Sequence, residues 1–260
     1  MLNTLYTDYT ETKALGGHLQ NASLSQPILI DRTGAVITFT LNNPEAGNEV
    51  TAPMFDAMIA VLRAEAVMPG ARVLRIRTRG KVFCTGRERA GRDAASIHDE
   101  VSRLIELKRL LRASSLITIA EVQGDAFGFG LGLAILCDFT LVSNSASLAF
   151  PEMKKGLPPA AIMAYLGRYA LPKHVFPMVL FGDEFPPEAA LAAGLVTRVV
   201  PGERLQAEAE ALTERVLALD DTGVRQCKAF FQAAQESPIE HNFRCATETL
   251  TVAALRLQGK

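Results

Sequence analysis

The stretch VQGDAFGFGLGLAILCDF, Val122 to Phe139, decides how this chain is read. Glycines at 124, 128, 130 and 132 crowd a turn, and the apolar run Leu131 to Leu136 follows at once, ending in Cys137-Asp138. A glycine-rich turn that feeds a helix leaves backbone N–H groups without partners at the helix start. Those groups, with the aligned peptide dipoles, stabilise negative charge. The segment therefore reads as an anion site carried on a strand–turn–helix unit.

Gly128-x-Gly130-x-Gly132 after a strand invites comparison with a dinucleotide-binding turn. That fingerprint needs a glycine or alanine three residues past the second glycine, where this chain has Leu133. The acid expected at the end of a second strand is matched only loosely by Glu152, so the dinucleotide reading is set aside.

The rest of the chain narrows the chemistry by exclusion. It has 260 residues, 48% of them hydrophobic, enough for one large domain with a sizeable core. A formal net charge of −1 gives no pull toward nucleic acid or anionic membrane. The apolar runs are far too short to span a membrane. The opening MLNTLYTDYTETKALGG lacks a basic segment followed by an apolar one, so residues 1–25 read as a flexible polar lead-in rather than a signal peptide. Cysteines at 84, 137, 227 and 245 form no Cys-x-x-Cys pair and are expected as buried, reduced thiols in a cytoplasmic protein. Histidines at 18, 98, 174 and 241 form no zinc-protease set, and no Gly-x-Ser-x-Gly elbow is present. No metal site is expected.

Patterning predicts strands at Ile28–Ile30, Val36–Leu41, Val73–Thr78, Leu116–Val122, Phe139–Val142, Leu148–Phe150 and Val196–Val200. It predicts helices opening near Pro53, over His98–Ala113, after the glycine turn, after the loop FPEMKKGLPP, and over 172–180, 187–193, 203–219, 222–235 and 239–256. Val101, Leu104, Ile105, Leu107, Leu110 and Leu111 form the apolar stripe of the second helix. Strands alternate with helices through the first two-thirds and helices dominate the last third, an α/β chain with a helical tail.

The order of segments carries more. LNNPEAGNEV, VLRIRTRGKVFCTGRERAG, the long glycine-turn segment through FPEMKKGL, LFGDEFPPEAALAAGLVTRVVP and Lys228 follow one another at fixed spacing over about residues 27–235. This resembles the enoyl-CoA hydratase/isomerase (crotonase) superfamily. The resemblance implies an α/β spiral of ββα units over residues 26–200 and a helical region, 201–260, that trimerises. It implies an acyl-CoA thioester as substrate and partner, as in fatty acid metabolism, with no separate cofactor because coenzyme A is part of the substrate.

It also implies roles by motif match. Two backbone N–H groups hold the thioester oxygen, falling on Arg87 in FCTGR and Phe129 in the glycine turn; an enolate oxygen is an anion that such donors suit. Hydratases of the family carry two glutamates. Here the first position is Gly132, and the second is Glu152 in FPEM. A single carboxylate suits 3-enoyl-CoA to 2-enoyl-CoA isomerisation, so Glu152 is the expected base, partly desolvated by Phe150, Pro151, Met153 and Leu157. Arg87, Arg89 and Gly128 are the expected contacts to the CoA ester. Ala160 replaces an aspartate of some relatives, Asp138 is read as structural, and Asp125 as a loop turn. A one-glutamate hydratase, a decarboxylase, a thioester hydrolase and a silent CoA-thioester binder are the alternatives.

Overall fold

The computed structural model describes residues 26–258, so the lead-in over 1–25 lies outside the described residues. In chain order the elements are β1 (Ile28–Thr33), β2 (Val36–Leu41), α1 (Ala52–Val67), β3 (Val73–Thr78), α2 (Ala94–Ala113), β4 (Ile117–Val122), β5 (Ala126–Phe127) and α3 (Phe129–Ile135). They continue with β6 (Phe139–Ser143), β7 (Leu148–Ala149), a 3₁₀ turn over Pro151–Lys155, α4 (Ala160–Leu166), α5 (Pro172–Phe181), α6 (Pro187–Ala192) and β8 (Arg198–Val200). Three helices follow: α7 (Leu205–Leu217), α8 (Asp221–Ala234) and α9 (Ile239–Gln258).

The main sheet runs β1-β2-β3-β4-β6-β8. β1 and β2 form an antiparallel hairpin, and every later neighbour is parallel. A second, smaller layer is built of β5 paired with β7 and of single bridges linking Val50 to Arg87, Cys84 to Ala126, and Leu148 to Phe185. Each turn of the chain thus gives one strand to the large sheet and one short segment to the small layer before its helix. That is a spiral of ββα units. Its consequence is functional: the loops after β3, β4 and β6 are stacked side by side.

Alternation along the strands fixes two cores. Leu74 and Ile76 of β3, with Ala120 and Val122 of β4, face α1, α2 and α3. Val73, Ile119, Leu141 and Val200 point the other way, onto Leu205, Ala209, Leu212 and Val216 of α7. The region after residue 200 therefore begins as a layer of the core. On that same face Arg75 and Glu121 form a buried two-point ion pair, at 2.6 and 2.9 Å.

Local sequence explains where elements begin. α2 starts four residues earlier than its apolar stripe indicates, because Asp93 accepts from the N–H groups of Ala95 and Ser96 while Ser96 Oγ accepts from Asp93 N–H. Within the stripe Leu104, Leu107 and Leu111 are buried, whereas Val101 is 39% exposed. The cysteines also differ from expectation: Cys84 and Cys137 are buried, but Cys227 is exposed and Cys245 is partly so.

α8 is fixed to the core through Lys228, which is 8% exposed. Its Nζ donates to the carbonyl of Leu116 and to Oδ2 of Asp138, each at 2.6 Å, and the same carboxylate oxygen accepts from the N–H and hydroxyl of Thr118. Asp138 thus joins β4, β6 and α8, the structural role its position suggests. Lys228→Met should lower the unfolding free energy by about 2 kcal/mol, the loss of hydrogen bonds to a charged group with one partner left in place. Lys154→Ala breaks the exposed pair with Asp183 and should cost under about 1 kcal/mol. Denaturant titration of both variants reads the difference, and equal losses would contradict this account of Lys228.

Candidate active site

The site forms where the loop after β3, the first turn of α3 and the 3₁₀ turn after β7 meet. Two backbone bonds dock the first pair: Phe127 N–H donates to the carbonyl of Cys84 at 2.9 Å, and Val50 N–H to that of Gly86 at 3.1 Å. Gly130 allows the approach, since a Cβ there would stand 2.2 Å from the Cys84 carbonyl oxygen. On the other side Gly128 N–H donates to Ala149 at 2.9 Å. Gly128 has φ +51°, in the left-handed region, and its missing Cβ leaves room for Oε1 of Glu152, which would lie 2.9 Å from it.

This docking leaves donors free. Phe129 N–H opens α3, and Arg87 lies in a parallel bridge whose bonds run through Gly86 and Glu88. Among the described residues neither N–H donates to a protein acceptor. The Phe129 ring is buried edge-on against Phe55, with centroids 5.1 Å apart.

Glu152 sits in the first turn of the 3₁₀ segment. Its Oε2 is buried and accepts from no protein donor among the described residues. Burial raises its pKa above the ordinary glutamate value; its own backbone N–H and the charges of Lys108, Arg89 and Lys155 oppose that shift without cancelling it. The apolar neighbours expected from the sequence differ in burial. Phe150 is fully buried, but Met153 and Leu157 are 37% and 41% exposed. Beside Glu152 stand α3 at Gly128 and, one turn on at Gly132, side chains of α2 and α4.

Those helices bring two residues that sequence reasoning did not single out. Lys108 of α2 is buried, and its Nζ donates to the Tyr165 hydroxyl at 2.9 Å and the Ala161 carbonyl at 3.3 Å. Tyr165 in turn donates to the Gly132 carbonyl at 2.8 Å. A Cβ on Gly132 would lie 2.7 Å from the Tyr165 oxygen and 3.1 Å from Lys108 Nζ. The position that a carboxylate at 132 would take is therefore filled by an amine and a phenol. Burial pulls the Lys108 amine down to about 7, against the opposing charge of Glu152. A signal was present in the sequence: Lys108 is four residues after Leu104 and three before Leu111, a cation within the apolar stripe.

The charged loop resolves differently from expectation. The guanidinium of Arg87 is engaged within the chain, 3.3 Å from Glu100 of α2, and Glu100 also accepts from the N–H groups of Ala90 and Gly91. The Arg87 side chain therefore anchors the loop to α2. Arg89 is exposed. Asp125 accepts from Ser147 N–H at 2.9 Å and shapes the turn. Among the described residues no three His, Cys, Asp or Glu side chains cluster to hold a metal ion, and no helix is long and apolar enough to cross a membrane.

The chain matches the family model described as enoyl-CoA hydratase/isomerase over residues 31–253. It is 27% identical over 237 residues to the Xenopus laevis enoyl-CoA hydratase domain-containing protein 3, mitochondrial, covering 90% of this chain and 80% of that protein. It is 29% identical over 234 residues to the carnitinyl-CoA dehydratase of Salmonella typhi, covering 85% and 86%. The crystal structure of an enoyl-CoA hydratase from Mycobacterium smegmatis superposes with a TM-score of 0.83 at 27% identity, over 88% of this chain and 91% of that one. A Thermobifida fusca structure in complex with CoA superposes at 0.83 and 23% identity, over 92% and 96%, a likeness of fold. With a family model spanning most of its length and the same α/β spiral in solved relatives, this chain belongs to the enoyl-CoA hydratase/isomerase family.

Proposed function

We propose that this chain removes a proton from the carbon beside the carbonyl of an acyl-CoA thioester, with Glu152 as base and the N–H groups of Arg87 and Phe129 receiving the charge that develops on oxygen. The favoured reaction converts a 3-enoyl-CoA to a 2-enoyl-CoA. Glu152 takes the proton from C2, the electron pair moves onto the carbonyl oxygen as a dienolate, and the carboxyl returns the proton to C4. The observation that carries this reading is the Glu152 carboxylate, partly buried beside α3. Oε2 of Glu152 has no protein donor among the described residues, and the side of α3 at Gly132 is taken by Tyr165, Ile162 and Lys108. A base with a raised pKa and an unpartnered oxygen is suited to taking a proton from carbon.

Hydration or dehydration is the second reading. Relatives named hydratase and carnitinyl-CoA dehydratase favour it, and Lys108 with Tyr165 offers a second polar station for water or a leaving hydroxyl. Arg89, exposed and close enough to Glu152 to act on its charge, remains the proposed contact to the CoA ester. Self-association is proposed through the helical end of the chain. An apolar groove of about 840 Å³ between β6 and α8 and the exposed Phe231, Phe243, Leu250 and Leu255 support a second copy as its occupant. Four free cysteines suit a reducing, cytoplasmic setting.

Absorbance of the conjugated enoyl thioester, followed from a 3-enoyl-CoA, tests the main reading. Glu152→Gln should lower kcat by about 1,000-fold or more with a small change in KM; retained activity would remove Glu152 as the base. Because the base works ionised and its pKa is raised, kcat/KM should fall with decreasing pH on a limb lying above the ordinary glutamate range. Gly130→Ala should push the Cys84–Arg87 loop away from α3 and lower kcat/KM about 100-fold, the effect of one lost oxyanion donor. Unchanged kinetics in that variant would contradict the docking argument.

A further inference from the structure

Lys108 is a buried amine with an incomplete set of partners. Tyr165 spends its proton on the Gly132 carbonyl, so its hydroxyl accepts from Lys108, and Ala161 accepts a second N–H. An ammonium has a third donor. Among the described residues that donor has no oxygen or nitrogen acceptor; the amine lies over the rings of Tyr165 and Phe129, 4.7 and 5.7 Å from their centroids, and no carboxylate lies within ion-pair distance of it. A buried cation without a countercharge is costly unless something completes it.

Its location indicates what does so. Gly132 N–H donates to the Gly128 carbonyl at 3.0 Å, so the two glycines lie one helical turn apart on one face of α3. Glu152 stands over Gly128 and Lys108 over Gly132. The face therefore presents a base and, about 6 Å further along it, an ammonium. The charges that act on Glu152 are Lys108, Arg89 and Lys155, and those that act on Lys108 come from Glu152, with Tyr165 as its neutral partner. Three cations face one carboxylate, an excess of positive charge whose most deeply buried member is Lys108.

We infer that Lys108, held by Tyr165, binds a carboxylate carried by the acyl chain, so that the site takes CoA esters of dicarboxylic acids in preference to plain acyl-CoA. The inference rests on the acyl-CoA reading above and adds the substrate class. The amine is half-protonated near neutrality when the site is empty, so carboxylate binding draws a proton onto it and weakens as pH rises.

Saturated esters, which lack the double bond that is moved, test binding alone. The probes are butanoyl-CoA against succinyl-CoA, pentanoyl-CoA against glutaryl-CoA and hexanoyl-CoA against adipyl-CoA, titrated calorimetrically. Each pair shares its chain length and its CoA phosphates. At about pH 6 the wild-type protein should bind the carboxylated member of at least one pair about ten-fold more tightly. That advantage should shrink by about pH 9, where the amine is neutral. Lys108→Met should bind both members of each pair alike. The wild-type ratios and their pH dependence decide the matter even where the variant fails to fold. A preference for the methyl-ended ester in every pair, or a carboxylate preference kept by Lys108→Met, overturns the inference and leaves the acyl-CoA reading standing. Absence of binding by all six esters overturns that reading and the inference with it.

Discussion

The site depends on one close approach: the first turn of α3 pressed against the carbonyl of Cys84. Any side chain at 130 would occupy the position of that carbonyl. The approach brings the loop after β3 beside the start of α3, while the bridge to Val50 uses the neighbours of Arg87 and leaves its own N–H without an acceptor among the described residues. Two unpartnered donors on adjoining segments are the result. Nothing about their side chains is required, which is why residues as bulky as arginine and phenylalanine can stand there. The Arg87 guanidinium is turned to Glu100, and the Phe129 ring fills the core beside Phe55.

The same helix sets the chemistry on the face that carries Gly128 and Gly132. Gly128 admits the Glu152 carboxyl, and Gly132 admits Lys108 and Tyr165 from α2 and α4. Burial acts on the acid and the amine in opposite senses, raising the one and lowering the other, so their proton affinities converge. Each also supports the charged form of the other. An acid and an amine poised in this way on one helix face form a site that can both move a proton and recognise charge.

Much of this was legible in the sequence. Alternation in Val73–Thr78 and Ile117–Val122 and the hydrophobic period of the helices placed nearly every element. The ordered motifs gave the family, and with it Arg87, Phe129 and Glu152 as the residues to inspect. What was not legible depended on side-chain direction across long sequence separations. Lys108 and Tyr165 are 57 residues apart and meet only because α2 and α4 both bring side chains over Gly132 of α3. Arg87 looked like a free cation because its partner, Glu100, is on the next helix. Met153 and Leu157 read as a shield for Glu152 by proximity in sequence, yet both are partly exposed, whereas Phe150 is fully buried. The start of α2 was missed for a local reason, an aspartate–serine cap outside the apolar period.

The central claim is that Glu152 moves a proton between carbons of a CoA thioester. The most direct measurement follows deuterium placed at C2 of a 3-enoyl-CoA and locates it in the product by NMR. The account predicts that deuterium lost from C2 appears at C4 with the wild-type protein and that no transfer occurs with Glu152→Gln. Deuterium loss from C2 that proceeds unchanged in that variant would contradict it.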